Sequence, residues 1–156
     1  MLRIIQDDLC GLEIAALLQS HLDAMLQFSP PGSVHALDLN RLRHPEITFF
    51  TAWIGADLAL EIVGCGAIRE LDAAHGEVKS MRTAAAHLRK GVASAILTHI
   101  IAVARQRKYS RLSLETGSGE PFEAAARLYE RFRFVPCGSF ESYQSDSFSR
   151  FFTLTL

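Results

Sequence analysis

The 156-residue sequence predicts a mixed α/β domain: a central, mostly antiparallel sheet with flanking helices and one parallel strand pair. Three observations carry that prediction. Between positions 47 and 83, three stretches rich in β-branched and aromatic residues follow one another through short turns, and short connections join antiparallel neighbours. Over 91–108, Val92, Ala93, Ile96, Leu97, Ile100, Ile101 and Ala104 recur on one helical face. That helix feeds a strand at 112–115, which should run parallel to the strand preceding the helix, as a strand–helix–strand crossover requires. The length suits a single domain over 1–156, enough to bury about two-thirds of the unfolded surface.

Taken in order, residues 2–5 form a short strand, and apolar residues at helical spacing from Leu12 to Leu26 predict a helix over 10–28. Ser29-Pro30-Pro31-Gly32-Ser33 breaks it, and a shorter helical piece at 37–42 is stopped by Pro45. Strands follow at 47–54, 60–68 and 77–83, separated by turns at 55–57 and 72–76. After the long helix and the 112–115 strand, a helix over 122–132 and two strands, near 134–137 and 150–156, end the chain.

Composition narrows the function classes. Hydrophobic residues at 49% and charged residues at 21% describe an ordinary globular protein. A net charge of -1, with no interleaved basic and aromatic residues, argues against a nucleic-acid partner. Any bound anion must therefore be held by a local arrangement. Cys10, Cys65 and Cys137 have no metal-ligand spacing, and their odd number does not make a disulfide framework, so reduced, mostly buried thiols are expected. The histidines, including His99, are expected to be structural or solvated, with no metal. The first residues run into Asp7 and Asp8 rather than a signal-peptide core, and no apolar run reaches the ~18 residues of a membrane span. A cytoplasmic protein without membrane contact is expected.

The most informative stretch is His87-Leu88-Arg89-Lys90-Gly91-Val92-Ala93-Ser94. A helix start has free N–H groups and a partial positive charge, normally met by a capping side chain and acidic residues. Here residues 88–91 offer no cap and add two cations, at a local cost of a few tenths to ~1 kcal/mol each. An external phosphate would resolve the conflict, with Gly91 admitting it close to the backbone. A solvated basic helix start is the competing reading. The nucleotide loop GxxxxGK[ST] is absent. Gly64-Cys65-Gly66 and Gly117-Ser118-Gly119 lack the third glycine of a dinucleotide fingerprint, with Arg69 and Phe122 in its place, and read as turn or bulge glycines.

The run 77–83 followed by Arg89-Lys90-Gly91-Val92-Ala93 resembles the acetyl-CoA motif of the GNAT superfamily of N-acetyltransferases, Gln/Arg-x-x-Gly-x-Gly/Ala. Residues 126–134 resemble the family's later A-x-x-L-Y-x-x-x-G-F segment, and element order matches over nearly the whole chain. Stretches 29–39 and 112–119 are similar to a bacterial subgroup of small acetyltransferases. Two departures stand out: Leu88 occupies the signature's Gln/Arg position, and Arg133 stands where the second motif has glycine.

The resemblance implies that the strands around the long helix splay, admitting the pantetheine arm of acetyl-CoA beside Met81, Arg82 and Thr83. The pyrophosphate would lie on backbone N–H groups of Arg89, Lys90, Gly91, Val92, Ala93 and Ser94, with Leu88 at the signature position. Phe122, Ala125 and Leu128 would complete the cofactor side. Phe122, Ala125, Tyr129 and Phe132 share a helical stripe, so Tyr129 points inward, either as a core residue or as the acid that protonates the departing thiolate. Glu77 is the candidate base and a surface strand glutamate the competing view; Glu70, His75 or an amine arriving already neutral are alternatives. A backbone N–H near Met81 or Arg82 would meet the oxyanion.

The implied reaction is direct attack by the amine of a small or amino-acid-like acceptor in a ternary complex. His35, Arg41, Arg43, His44 and Trp53 are possible acceptor contacts, with a solvated face the competing reading for the charged ones. A non-catalytic acetyl-CoA or CoA sensor is the alternative, which Leu88 allows and Tyr129 opposes. Phe140, Phe148, Phe151 and Phe152 exceed what a sheet edge needs to bury, so a homodimer contact is also expected.

Overall fold

Among the described residues the chain runs β1 (Arg3–Gln6), α1 (Leu12–Phe28), α2 (Leu39–Leu42), β2 (Ile47–Ile54), β3 (Glu61–Asp72), β4 (His75–Thr83), α3 (Val92–Gln106), β5 (Arg111–Thr116), α4 (Glu120–Arg131), β6 (Val135–Cys137) and β7 (Arg150–Thr155), with a 3-10 turn at Ala85–His87. This computed structural model describes residues 1–29, 39–141 and 143–156. All seven strands join one sheet in the order β1-β2-β3-β4-β5-β7-β6. Every pairing is antiparallel except β4 with β5. The fold is therefore the expected mixed α/β class.

Local chemistry explains where elements begin. Helix α1 starts at Leu12 rather than Cys10, because Asp7 and Asp8 accept hydrogen bonds from the Leu9 and Cys10 N–H groups at 2.7 and 3.0 Å. Such local side-chain bonds compete with a helical turn. Strand β3 runs four residues past the expected Ile68, and β4 begins at His75, so the 72–76 turn is a tighter hairpin. Of the helical piece expected at 37–42, residues 37 and 38 lie outside the described residues.

The sheet separates two apolar layers. The larger contains Val78, Ile96, Leu97, Ile100, Leu112, Leu114, Tyr129 and Phe152; the smaller contains Leu9, Ile14, Leu17, Leu42, Phe49, Cys65 and Ala67, beneath α1. The β3 glycines let α3 lie close. A Cβ on Gly64 would come within 2.8 Å of Val92, and one on Gly66 within 2.7 Å of both Ile96 and Met81. Close backbone approach is what glycine inside a strand provides. His99 on α3 packs edge-on against Phe50, ring centroids 4.8 Å apart.

The C-terminal phenylalanines are used within the chain. Phe148 packs on Phe122, Phe140 packs on both Tyr143 and Phe151, and Phe151 and Phe152 are buried. Phe140 and Phe148 stay half-buried. No helix among the described residues is long and apolar enough to cross a membrane.

Candidate active site

The site starts where two strands part. β4 and β5 pair only through His75↔Arg111, Gly76↔Leu112 and Glu77↔Ser113. His75 Nε2 and Ser113 Oγ lie 2.6 Å apart at this closed end. Beyond Glu77, β4 continues to Thr83 and β5 to Thr116 without pairing, so one edge of β4 is open.

A β-bulge then sets which side chains face the opening. The β3–β4 register slips between Cys65↔Arg82 and Ala67↔Lys79, and Ser80 takes a left-handed φ of 55°. The extra residue shifts the alternation of β4. Val78 and Met81 face α3, three positions apart rather than two, while Glu77, Lys79 and Arg82 face α1.

Helix α3 begins without a side-chain cap. Its first intrahelical bond is Ala95 N–H to the Gly91 carbonyl, so the N–H groups of Val92, Ala93 and Ser94 have no intrahelical acceptor. Arg89 and Gly91 both take left-handed φ values, 62° and 82°, and nothing lies within 4 Å of a Cβ built on Gly91. The result is an exposed row of donors with open space in front of it. Leu88, Arg89 and Lys90 are exposed, Val92 is buried, and Ala93 and Ser94 are half-buried.

A cavity of about 280 Å³ fills the opening between β4 and β5. Its walls are α1, β4, the end of β5, α4 and the segment carrying Tyr143 and Phe148. Of the expected residues, Glu77, Met81, Arg82, Phe122, Ala125 and Tyr129 line it. Leu128 does not line it and packs into the larger core. Glu70 and His75 do not line the cavity. Glu70 accepts a hydrogen bond from the Tyr109 hydroxyl at 2.6 Å. Arg43 donates to the Leu9 carbonyl at 2.7 Å, Trp53 Nε1 donates to Thr51 at 2.8 Å, and neither they nor Arg41 and His44 line the cavity. His35 lies outside the described residues.

The cavity also contains residues that sequence reasoning missed: His21, Lys79, Glu115 and Tyr143. Glu115 has a carboxyl pushed up to about 7, chiefly by burial, with the Ser149 hydroxyl and Lys79 ammonium opposing that and Glu77 adding to it. Its signal was the two-residue alternation of β5, which puts Glu115 on the face of Ser113, opposite buried Leu112 and Leu114. Tyr129 is held in its protonated form, first by burial and then by the charge of Glu115.

Glu77 is differently placed. Only 1% exposed, it accepts hydrogen bonds from Tyr143 at 2.6 Å and Lys79 at 3.2 Å, and Arg69 lies 3.7 Å from its other oxygen. Among the described residues, four buried polar atoms of the cavity wall have no hydrogen-bond partner: His21 Nδ1, Ser29 Oγ, Glu77 Oε1 and Arg82 Nε. Unmet polar groups concentrated in one cavity mark a place built for a polar ligand.

Comparison with known proteins agrees with this geometry. The acetyltransferase (GNAT) family matches residues 14–134. An uncharacterized N-acetyltransferase of Bacillus subtilis is 55% identical over 150 residues, covering 96% of this chain and 97% of that protein. An uncharacterized N-acetyltransferase of Escherichia coli is 49% identical over 156 residues, covering 100% and 96%. A GNAT family acetyltransferase from Elizabethkingia anophelis, solved with acetyl-CoA bound, shares the fold at a TM-score of 0.71 and 17% identity, over 99% of this chain and 98% of that one. With a parted strand pair, an uncapped helix start and a family match over most of its length, this chain belongs to the GNAT family of acetyltransferases.

Proposed function

We propose that the protein transfers the acetyl group of acetyl-CoA directly to the amine of a small, amino-acid-like acceptor, with both substrates bound together. One observation carries the reading: Glu115 and Tyr129 share a cavity bounded by the open edge of β4. The fit to acetyl-CoA rests on that edge and on the unused N–H groups at the start of α3. Met81, Arg82 and Thr83 supply backbone partners for the arm, and residues 89–94 hold the phosphates. Acetyl-CoA supplies the activated acyl group; the chain's residues move the protons. Glu115, poised near neutrality, accepts the proton of the attacking amine. Tyr129, kept protonated, supplies one to the departing thiolate. A free N–H of β4 near Met81 or Arg82 receives the oxyanion. Glu77, bound up by Tyr143, Lys79 and Arg69, serves as a fixed counter-charge instead of a base. Three unpaired cysteines suit the reducing cytoplasm.

The test is thermal unfolding with acetyl-CoA, using ATP and NADH as phosphate-bearing controls. At ~100 times the dissociation constant, acetyl-CoA should stabilise the protein by ~2.7 kcal/mol, a rise of roughly 5–10 °C. An equal rise with ATP would reduce the helix start to a generic anion site and overturn the reading. Release of CoA thiol must then accelerate with an amine. Slow hydrolysis that no amine accelerates would favour a sensor, the reading that exposed Leu88 at the signature position allows.

A further inference from the structure

We infer that the acceptor carries a carboxylate, received in the cavity by Arg82 with His21 beside it; the inference rests on the acetyl-transfer reading above. The argument is a charge count. Among the described residues, two cationic side chains line the cavity, Lys79 and Arg82. Lys79 is committed: its ammonium lies 3.2 Å from the Glu77 carboxylate and 2.6 Å from the Tyr143 hydroxyl. Arg82 is not. No carboxylate among the described residues is within ion-pair distance of it, and its Nε is buried without a hydrogen-bond partner. Arg82 is half-buried, and a buried guanidinium N–H without an acceptor is costly; a bound anion would supply that acceptor.

His21, on α1, points the same way. Its Nδ1 is buried and unpartnered, and burial together with the nearby Arg82 charge lowers its pKa to about 4. At neutral pH the ring is uncharged, so it offers a hydrogen bond without a second charge. An arginine and a neutral imidazole make a receptor for one carboxylate, which the planar guanidinium fork matches in shape.

The phosphates of acetyl-CoA are not the anion in question. Arg82 stands opposite Cys65 in the β3–β4 register, on the face packed under α1. The free N–H groups of α3 lie across the sheet, on the side to which Met81 points. The bulge at Ser80 separates the two, because without the extra residue Arg82 would share the face of Val78. Glu115 lines the same cavity, so a molecule anchored by its carboxylate at Arg82 can present its amine to the proposed base.

The experiment compares matched acceptors with the wild-type protein and saturating acetyl-CoA, following CoA thiol: L-phenylalanine against phenylethylamine and phenylalanine amide, and L-alanine against ethylamine. The carboxylate-bearing member should show kcat/KM at least ~10-fold higher, the scale of one charge-assisted pair. Arg82→Gln should abolish that preference by raising acceptor KM, and Arg82→Lys should restore part of it. Turnover of amines and amides equal to that of the acids would overturn the carboxylate while leaving acetyl transfer intact. Arg82→Gln that weakens acetyl-CoA and spares acceptor KM would reassign Arg82 to the donor. No turnover with any amine would remove both readings.

Discussion

The two faces of β4 are built on opposite principles. Toward α3, Val78 and Met81 meet Ile96 and Ile100 across glycines that leave no room for a methyl group. Toward α1, Glu77, Lys79 and Arg82 line a cavity in which several buried polar atoms lack partners among the described residues. Close packing of apolar groups stabilises the first face; the second forgoes such stabilisation to keep charged groups desolvated and available. One strand therefore serves as core and as binding wall, and the bulge at Ser80 sets the point at which Met81 and Arg82 part to opposite sides.

The largest effect should come from the charged face. Glu115→Gln should lower turnover by at least ~100-fold, the usual weight of a positioned proton acceptor. The same change should stabilise the protein. The native carboxyl holds its proton up to about 7, whereas the unfolded chain releases it near 4.5. The native state thus binds more protons across that window, and wild-type stability falls as pH rises through it. At pH 8 the glutamine variant should be more stable by on the order of 1–2 kcal/mol, with no gain at pH 4. Denaturant unfolding at the two pH values measures this, and equal stability at pH 8 would show that Glu115 is not desolvated.

The apolar face should respond in the opposite sense. In Gly66→Ala the new methyl would lie 2.7 Å from Ile96 Cγ2 and Met81 Sδ. Overpacking of this kind costs roughly 1–3 kcal/mol, read as a lower denaturant midpoint, and it should act with little pH dependence. A neutral result would mean that α3 is free to move away from the sheet.

The smallest effect lies at the end of α4. Arg133 N–H bonds the Glu130 carbonyl and Phe134 N–H bonds the Tyr129 carbonyl, the two bonds of a helix-ending turn that favours glycine. Arg133 takes the required left-handed φ of 70° with a full side chain. Arg133→Gly should therefore raise stability by ~1 kcal/mol, seen as a small increase in Tm, and leave turnover unchanged because Arg133 does not line the cavity. Destabilisation instead would mean that the arginine side chain makes a stabilising contact elsewhere.

Much of this was legible in the order of residues. The β-branched and aromatic run over Ile47–Ile54 and the apolar face of Val92–Gln106 identify β2 and α3, because both patterns are properties of a single segment. Gly91 and the missing cap pointed to the uncapped start of α3 for the same reason, since a cap lies within a few residues of the groups it satisfies. Glu115 was harder to find. A glutamate near the end of a strand is ordinary in sequence, and its raised pKa arises from residues brought in by β4, α4 and the C-terminal segment. Glu77 shows the converse, a glutamate correctly located on the strand whose partners, Arg69 and Tyr143, come from other parts of the chain.

By itself, then, the sequence determined the elements, their order, the crossover and the uncapped start of α3, all consequences of short-range sterics and hydrogen bonding. Only the tertiary structure decided which carboxylate is clamped and which has a raised pKa, and that Arg82 reaches the cavity with no carboxylate partner among the described residues. Those outcomes depend on desolvation and charge pairing between distant segments, and on a one-residue slip in register whose effect is felt across the sheet.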